Sequence, residues 1–386
     1  MKKYRIIKKL ALTVISAVIV FTACEKEKTE IPEDKKLEGW NIERVDSIAG
    51  AEAGIYNMLT YDADSGIHIA YIVSQNDIYS LKYAYKPYEG NWAVSEVANP
   101  VSDNIIDIAV DNQKNVFVIY RGYAHTDNDN ERLYIAEKSI NESFNSVMVD
   151  VLGDQNFQAR YPSIYADNND VIHIAFERAN YGMRYTTYSF EGTFTPVEIL
   201  DDNISSSSSD IVVDSEGNKH IAHFNNENVY YSFKGYSDNS WTVNQIASGD
   251  EGNDSYAGIN IATDPFDNLH IAYRYSSYDN NIHYLYKAAG INNWQEQGIG
   301  NAGGSNRFDR AMACDTLGNP HILYDESYGL KMASKKGSWS YESILGKSDY
   351  RCDANYDLEI MDNNQAHVSF YCRTTGVLRY ATKVLK

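Results

Sequence analysis

Apolar and polar residues alternate along most of the chain in short runs, broken by clusters of Asp, Asn, Ser and Gly. A period of two marks strands with one buried face, and the breaks mark turns. No sustained helical period appears, so the pattern predicts an all-β chain. One unit recurs roughly every 50 residues: an Asp, a tight turn, then a strand of the form x-His-Ile-Ala-Tyr. Its first position is read at Asp62, Asp111, Asp167, Asp214, Asp264, Asp315 and Asp362, and its histidine position at His68, Phe117, His173, His220, His270, His321 and His367. Three residues further on stands Tyr71, Tyr120, Phe176, His223, Tyr273, Tyr324 or Phe370. Another strand follows, Leu81 to Ala84 in the first unit, and a last one opens on Trp92, Phe144, Phe194, Trp241, Trp294 or Trp339.

Short strands at this period predict a β-propeller with one four-stranded sheet per blade. The seventh unit lacks its last strand, and Trp40 to Val45 carries the missing pattern. Residues 38–386 are therefore expected to form one seven-bladed ring, closed by an N-terminal strand that completes the last blade and removes exposed sheet edges. All five tryptophans then share one repeat position.

The residues ahead of the ring differ. Lys2 to Lys9 are basic and Leu10 to Phe21 apolar, a stretch too short to span a bilayer comfortably. It ends in Phe21, Thr22, Ala23 and Cys24, which resembles a bacterial lipobox. The expectation is a signal peptide over 1–23, lipidation of Cys24, and a flexible charged tether over 24–37. That places the protein in the cell envelope as an outer-membrane lipoprotein, periplasmic or surface-exposed, touching membrane through its lipid alone. The formal net charge is −19; setting aside the four lysines and one arginine of the leader leaves 29 basic against 53 acidic residues, or −24. Such a balance argues against a nucleic-acid partner.

The repeats resemble the bacterial BNR-like or sialidase-like propeller repeats of the D-x-x-G-N-x-H-I-A-Y type, over most of the chain. The resemblance implies the propeller fold. It leaves function wide, because such propellers include glycan-binding lectins, sialidases, polysaccharide lyases and proteins of no known activity. The sialidase Asp-box S-x-D-x-G-x-T-W is absent, which sets a sialidase aside.

No cofactor and no metal are expected. The repeat histidines sit a blade apart and cannot converge on one ion; each is expected to hold its hairpin turn, through the repeat Asp. His220 and His223 fall on opposite strand faces, and His223 replaces a repeat aromatic. Cys352 and Cys372, on neighbouring strands of the last blade, are open to a disulfide or to free thiols.

The candidate chemistry lies at one pole, where strand two meets strand three and blade meets blade. Of 13 arginines, Arg121, Arg160, Arg178, Arg274, Arg307, Arg310, Arg351 and Arg373 fall there. The same connections carry Tyr123, Tyr161, Tyr181, Tyr256, Tyr275, Tyr278, Tyr328 and Tyr350, with His125 in the longest of them. Arginine captures carboxylate or sulfate bidentately, and flat aromatic rings stack on sugars. The ligand-binding candidates are Arg121, Tyr123, His125, Arg160, Arg178, Tyr181, Arg274, Tyr275, Tyr278, Tyr328 and Arg373. Glu177, Asp325 and Glu326 are interleaved, so pairing between blades is an equal alternative for these arginines. The expectation is a monomeric, lipid-anchored propeller that binds an acidic glycan. One alternative is a polysaccharide lyase with His125 or Tyr123 as base and Arg121 neutralising a uronate. The other is a scaffold for a surface protein.

Overall fold

The computed structural model describes residues 39–124, 127–149, 159–178, 181–190, 192–202, 208–225, 228–248, 258–274, 281–301, 311–326, 329–346 and 355–386. These form seven small antiparallel sheets arranged as a seven-bladed β-propeller, with no helix among the described residues. Blade 1 consists of Glu52–Tyr61, Ile67–Gln75, Ile78–Lys86 and Ala93–Ala98. Blades 2 to 6 follow in chain order. Blade 7 takes Tyr356–Ile360, Gln365–Cys372 and Val377–Val384 from the C-terminus and Asn41–Asp46 from the N-terminus, with Ile42 opposite Ala381. The expected ring closure is therefore present. Gly54 permits the tight seam between blades 1 and 7: its φ is +91°, and a Cβ there would lie 2.8 Å from the Leu378 side chain. In blade 3 the outer strand splits into Thr193–Phe194 and Glu198–Ile199 around Pro196, which has no N–H for the ladder.

The repeat residues build the turns. Asp62 Oδ1 accepts the N–H groups of Asp64 (2.9 Å) and Gly66 (2.8 Å), fixing the reversal between strands one and two. Five histidines, His68, His173, His220, His270 and His321, place Nε2 3.0–3.3 Å from Oδ2 of their turn aspartate. On the other ring nitrogen, Nδ1, a tyrosine hydroxyl donates at 2.6–2.8 Å to His68, His173, His220 and His270. In blade 6 Ser334 replaces that tyrosine. Burial pushes the Asp62 carboxyl up, but the hydrogen bonds from His68 and the turn N–H groups outweigh it and hold it at about 2. Asp167 and Asp214 are held at about 2 by the same balance. These histidines are structural.

The seventh turn corrects the sequence reading by one residue. The N–H of Met361 bonds to Gln365 C=O (3.0 Å) and that of Asn364 to Met361 C=O (2.9 Å), so Met361 occupies the turn position and Asp362 lies one step beyond it. His367 still bonds Tyr380, but its Nε2 has no acceptor. Burial, with Lys86 nearby, pulls His367 down to about 4. Asp264→Ala should thus cost about 2–3 kcal/mol, having removed the acceptor of several buried groups, whereas Asp362→Ala, at an exposed position, should stay within about 0.5 kcal/mol. Urea unfolding of the two variants checks this.

Neighbouring blades are joined at two radii. Beside the central channel, Asp107 Oδ2 accepts the N–H of Ile164 (2.6 Å), Asp210 Oδ2 that of Ile261 (2.9 Å) and Asp357 Oδ2 that of Leu59 (2.6 Å). Each aspartate thereby satisfies a donor of the next blade's innermost strand, which has no ladder partner on that side. Nearer the rim, the outer-strand tryptophan packs edge-on against the strand-three tyrosine of the preceding blade. The pairs are Trp92–Tyr380, Trp241–Tyr185, Trp294–Tyr231 and Trp339–Tyr284, with centroids 5.1–5.3 Å apart. The tryptophans and many of the tyrosines thus report architecture.

Candidate functional site

The described part of the arginine-bearing pole centres on blades 2 and 3. Arg121 lies within the strand Val116–Ala124, which runs on past it, and its Nη2 donates to Ser102 Oγ (3.1 Å). Tyr123, two residues on and hence on the same strand face, is 38% exposed. On the next blade, Arg160 stands opposite Glu177 at the start of Ala159–Ala166. The strand then bulges, and Tyr161 sits at φ +49°, in the left-handed region that bulky residues rarely enter. Its carbonyl accepts the Ser209 hydroxyl at 2.6 Å, which helps to fix this conformation. Backbone held this way costs of order 1–3 kcal/mol and is concentrated at sites that position something.

Arg178 ends strand Ile172–Arg178, and the N–H of Tyr181 bonds its carbonyl at 2.7 Å. That turn lays the Arg178 guanidinium 4.3 Å above the Tyr181 ring, which is 54% exposed. A guanidinium stacked on a ring is held flat, in a geometry that suits planar oxyanions. The local charge is mixed: Glu177 is 1% exposed, inside the pole rather than on it.

The remaining candidates divide. Arg274 is buried at 2% exposure, opposite Gly258, so it is packed within the ring and not displayed at the surface. Arg373 is exposed on the turn after Gln365–Cys372. His125, Tyr275, Tyr278 and Tyr328 lie outside the described residues, as do Cys24 and Cys352. Cys372 is a buried free thiol and Cys314 a half-buried one, whose pKa desolvation pushes up. Among the described residues no three His, Cys, Asp or Glu side chains are grouped to hold a metal.

His223 is fully buried. Its Nε2 lies 3.1 Å from Ser232 Oγ, its ring stacks on Tyr230 at 5.4 Å, and Nδ1 has no partner. Burial pulls it down to about 3, so it is neutral at pH 7. It is a packing residue, not a ligand to anything outside. Two buried arginines, Arg184 and Arg379, are strand residues that the sequence pattern leaves unmarked. Arg184 Nη2 reaches Asp202 at 2.6 Å. Their only signal is a charge next to the strand-three tyrosines Tyr185 and Tyr380.

No family model and no curated protein matches the sequence. In fold the chain is similar to solved structures at low identity. One is the polysaccharide lyase Uly1, with a TM-score of 0.56 and 10% identity over 93% of this chain and 95% of that one. Another is a virginiamycin B lyase from Staphylococcus aureus, with a TM-score of 0.57 and 12% identity over 89% of this chain and 99% of that one. A third is a protein of unknown function from Dyadobacter fermentans, with a TM-score of 0.54 and 9% identity over 92% and 100% of the two chains. At this identity the likeness establishes the propeller fold alone.

Proposed function

We propose that this protein is an envelope lipoprotein, anchored through Cys24, whose arginine- and tyrosine-bearing pole binds an acidic glycan. The observation that carries the proposal is the Arg178 guanidinium stacked 4.3 Å over the exposed ring of Tyr181. Arg121 and Tyr123 offer a second arginine–tyrosine pair on the adjacent blade. Arginines recognise uronate or sulfate and rings recognise sugar faces, and both kinds of contact are needed for an acidic glycan. Trp92, Trp241, Trp294 and Trp339, by contrast, are engaged between blades, and Trp40 is fully buried. A propeller of this fold serves the polysaccharide lyase Uly1, so the fold is compatible with a polysaccharide ligand.

An array of acidic and neutral polysaccharides tests the proposal. Saturable binding to uronic or sulfated glycans over their neutral counterparts is expected, without the ultraviolet absorbance of an unsaturated product. Appearance of that product would replace the binding function with lyase chemistry. Silence across the panel, with capture of one surface protein, would replace it with a scaffold.

A further inference from the structure

The rim contacts between blades are not all alike: opposite Tyr83, Tyr231 and Tyr284 the outer strands place Ser95, Asn244 and Gln297, and there Lys138, Lys287 and Lys335 meet ring faces instead of the acid found at other blades. Opposite strand-three Tyr380 and Tyr185, the outer strands place Glu43 and Glu198. Each acid accepts from a lysine of the next blade, Lys86 or Lys234, and from the indole N–H of Trp92 or Trp241, at 2.5–3.1 Å. Glu342 and Lys383 repeat the ion pair between blades 6 and 7. Between blades 4 and 5 the same register position, opposite Tyr231, is Asn244. Lys287, the counterpart of Lys86, has the ring faces of Tyr231 at 5.4 Å and Trp294 at 5.9 Å against its ammonium and no ion pair at that register position, with Asp214 near enough to act on it electrostatically. A groove of about 510 Å³ opens beside it, lined in part by Phe233, Thr242 and Asn244. The equivalent groove between blades 7 and 1, where Glu43 meets Lys86, measures about 260 Å³. Burial pulls Lys287 below the ordinary lysine range, a penalty that a bound anion relieves.

We propose that the groove between blades 4 and 5 binds a sugar acid, whose carboxylate takes the place at Lys287 that Glu43 takes at Lys86. The rest of the lining suits a hydroxylated ring. Thr242 and Asn244 can donate to and accept from hydroxyls, and Phe233 offers a half-buried aromatic face. The acids that face the groove are largely engaged elsewhere. Asp214 accepts from His220 and Asn218, and Asp267 from Ser215, while Glu216 at the rim is an acceptor for sugar hydroxyls. The groove is at the aspartate-turn pole, opposite Arg121 and Arg178, so it stands independently of the binding pole proposed above.

Titration of the purified protein with glucuronate and galacturonate, followed by NMR, tests the site, with glucose, galactose and acetate as controls. Uronate should bind saturably, at least tenfold more tightly than the neutral sugars or acetate. Lys287→Gln should weaken it at least tenfold. Asn244→Glu supplies the missing acid within the chain and should abolish binding at the groove while leaving the melting temperature unchanged or raised. Arg121→Ala combined with Arg178→Ala should leave the uronate-induced shifts of the groove residues intact. Uronate binding no tighter than that of glucose or acetate would overturn the proposal. So would shifts of the groove residues that survive both groove substitutions, or that are lost in the double arginine variant.

Discussion

Replacing His223 by Phe should leave the protein little changed at pH 7 and more stable than the parent by about 3 kcal/mol at pH 4. The buried imidazole is held at about 3, against 6.5 when free. The unfolded chain therefore takes up a proton near pH 6.5 that the folded chain refuses until about pH 3. A group depressed in the folded state contributes stability that is complete above its unfolded pKa and is lost as pH falls toward its folded one. At pH 4 roughly 2.5 units of that window have been crossed, each worth about 1.4 kcal/mol. Phe is the choice because Phe176 and Phe370 fill the same repeat position in blades 3 and 7. The substitution also removes Nδ1, a buried atom without a partner, at the expense of the Ser232 contact. Urea unfolding from pH 7 to pH 4 should show the parent losing stability more steeply, by one proton, than His223→Phe. Parallel profiles would show that His223 titrates normally. Below pH 4 both proteins should weaken further, as Asp62, Asp167 and Asp214, held at about 2, give up their advantage over the unfolded chain.

Trp40→Ala should be the most damaging of the five tryptophan truncations, at about 3–5 kcal/mol. Trp40 is fully buried, whereas Trp92, Trp241, Trp294 and Trp339 are partly exposed. It precedes the strand Asn41–Asp46, which places Ile42 and Val45 in the core and Glu43 against Lys86 of blade 1. Loss of its packing loosens the strand that closes the ring and opens an unpaired edge on Val377–Val384. Equilibrium unfolding should rank Trp40→Ala well below Trp294→Ala, with soluble aggregates appearing first in the former. Equal losses would mean that the closing strand contributes no more than any other.

The repeat made the ring legible from sequence. Asp, His and the aromatic recur at fixed offsets because every blade needs the same turn, and the one slip came where Met361 replaces the aspartate and the adjacent Asp362 offers itself instead. Asp107, Asp210 and Asp357 were not singled out, because a carboxylate that caps the next blade's inner strand has its partner about a blade away along the chain. Arg274 shows the limit of reading charge by position. Its place at the end of a strand suggested display, yet the side chain is buried. Asn244 is an inconspicuous residue until the register sets it where Glu43 and Glu198 stand in other blades.

The binding pole is tested most directly by calorimetric titration of an acidic oligosaccharide into the parent protein and into Arg121→Ala combined with Arg178→Ala. Arg178 is chosen because it lies against an exposed ring. Two charge-assisted contacts at about 1.5–3 kcal/mol each correspond to a loss of about 100-fold or more in affinity. The double variant should show that loss with an unchanged melting temperature. Unchanged affinity in a fully folded double variant would contradict the placement of the glycan at this pole.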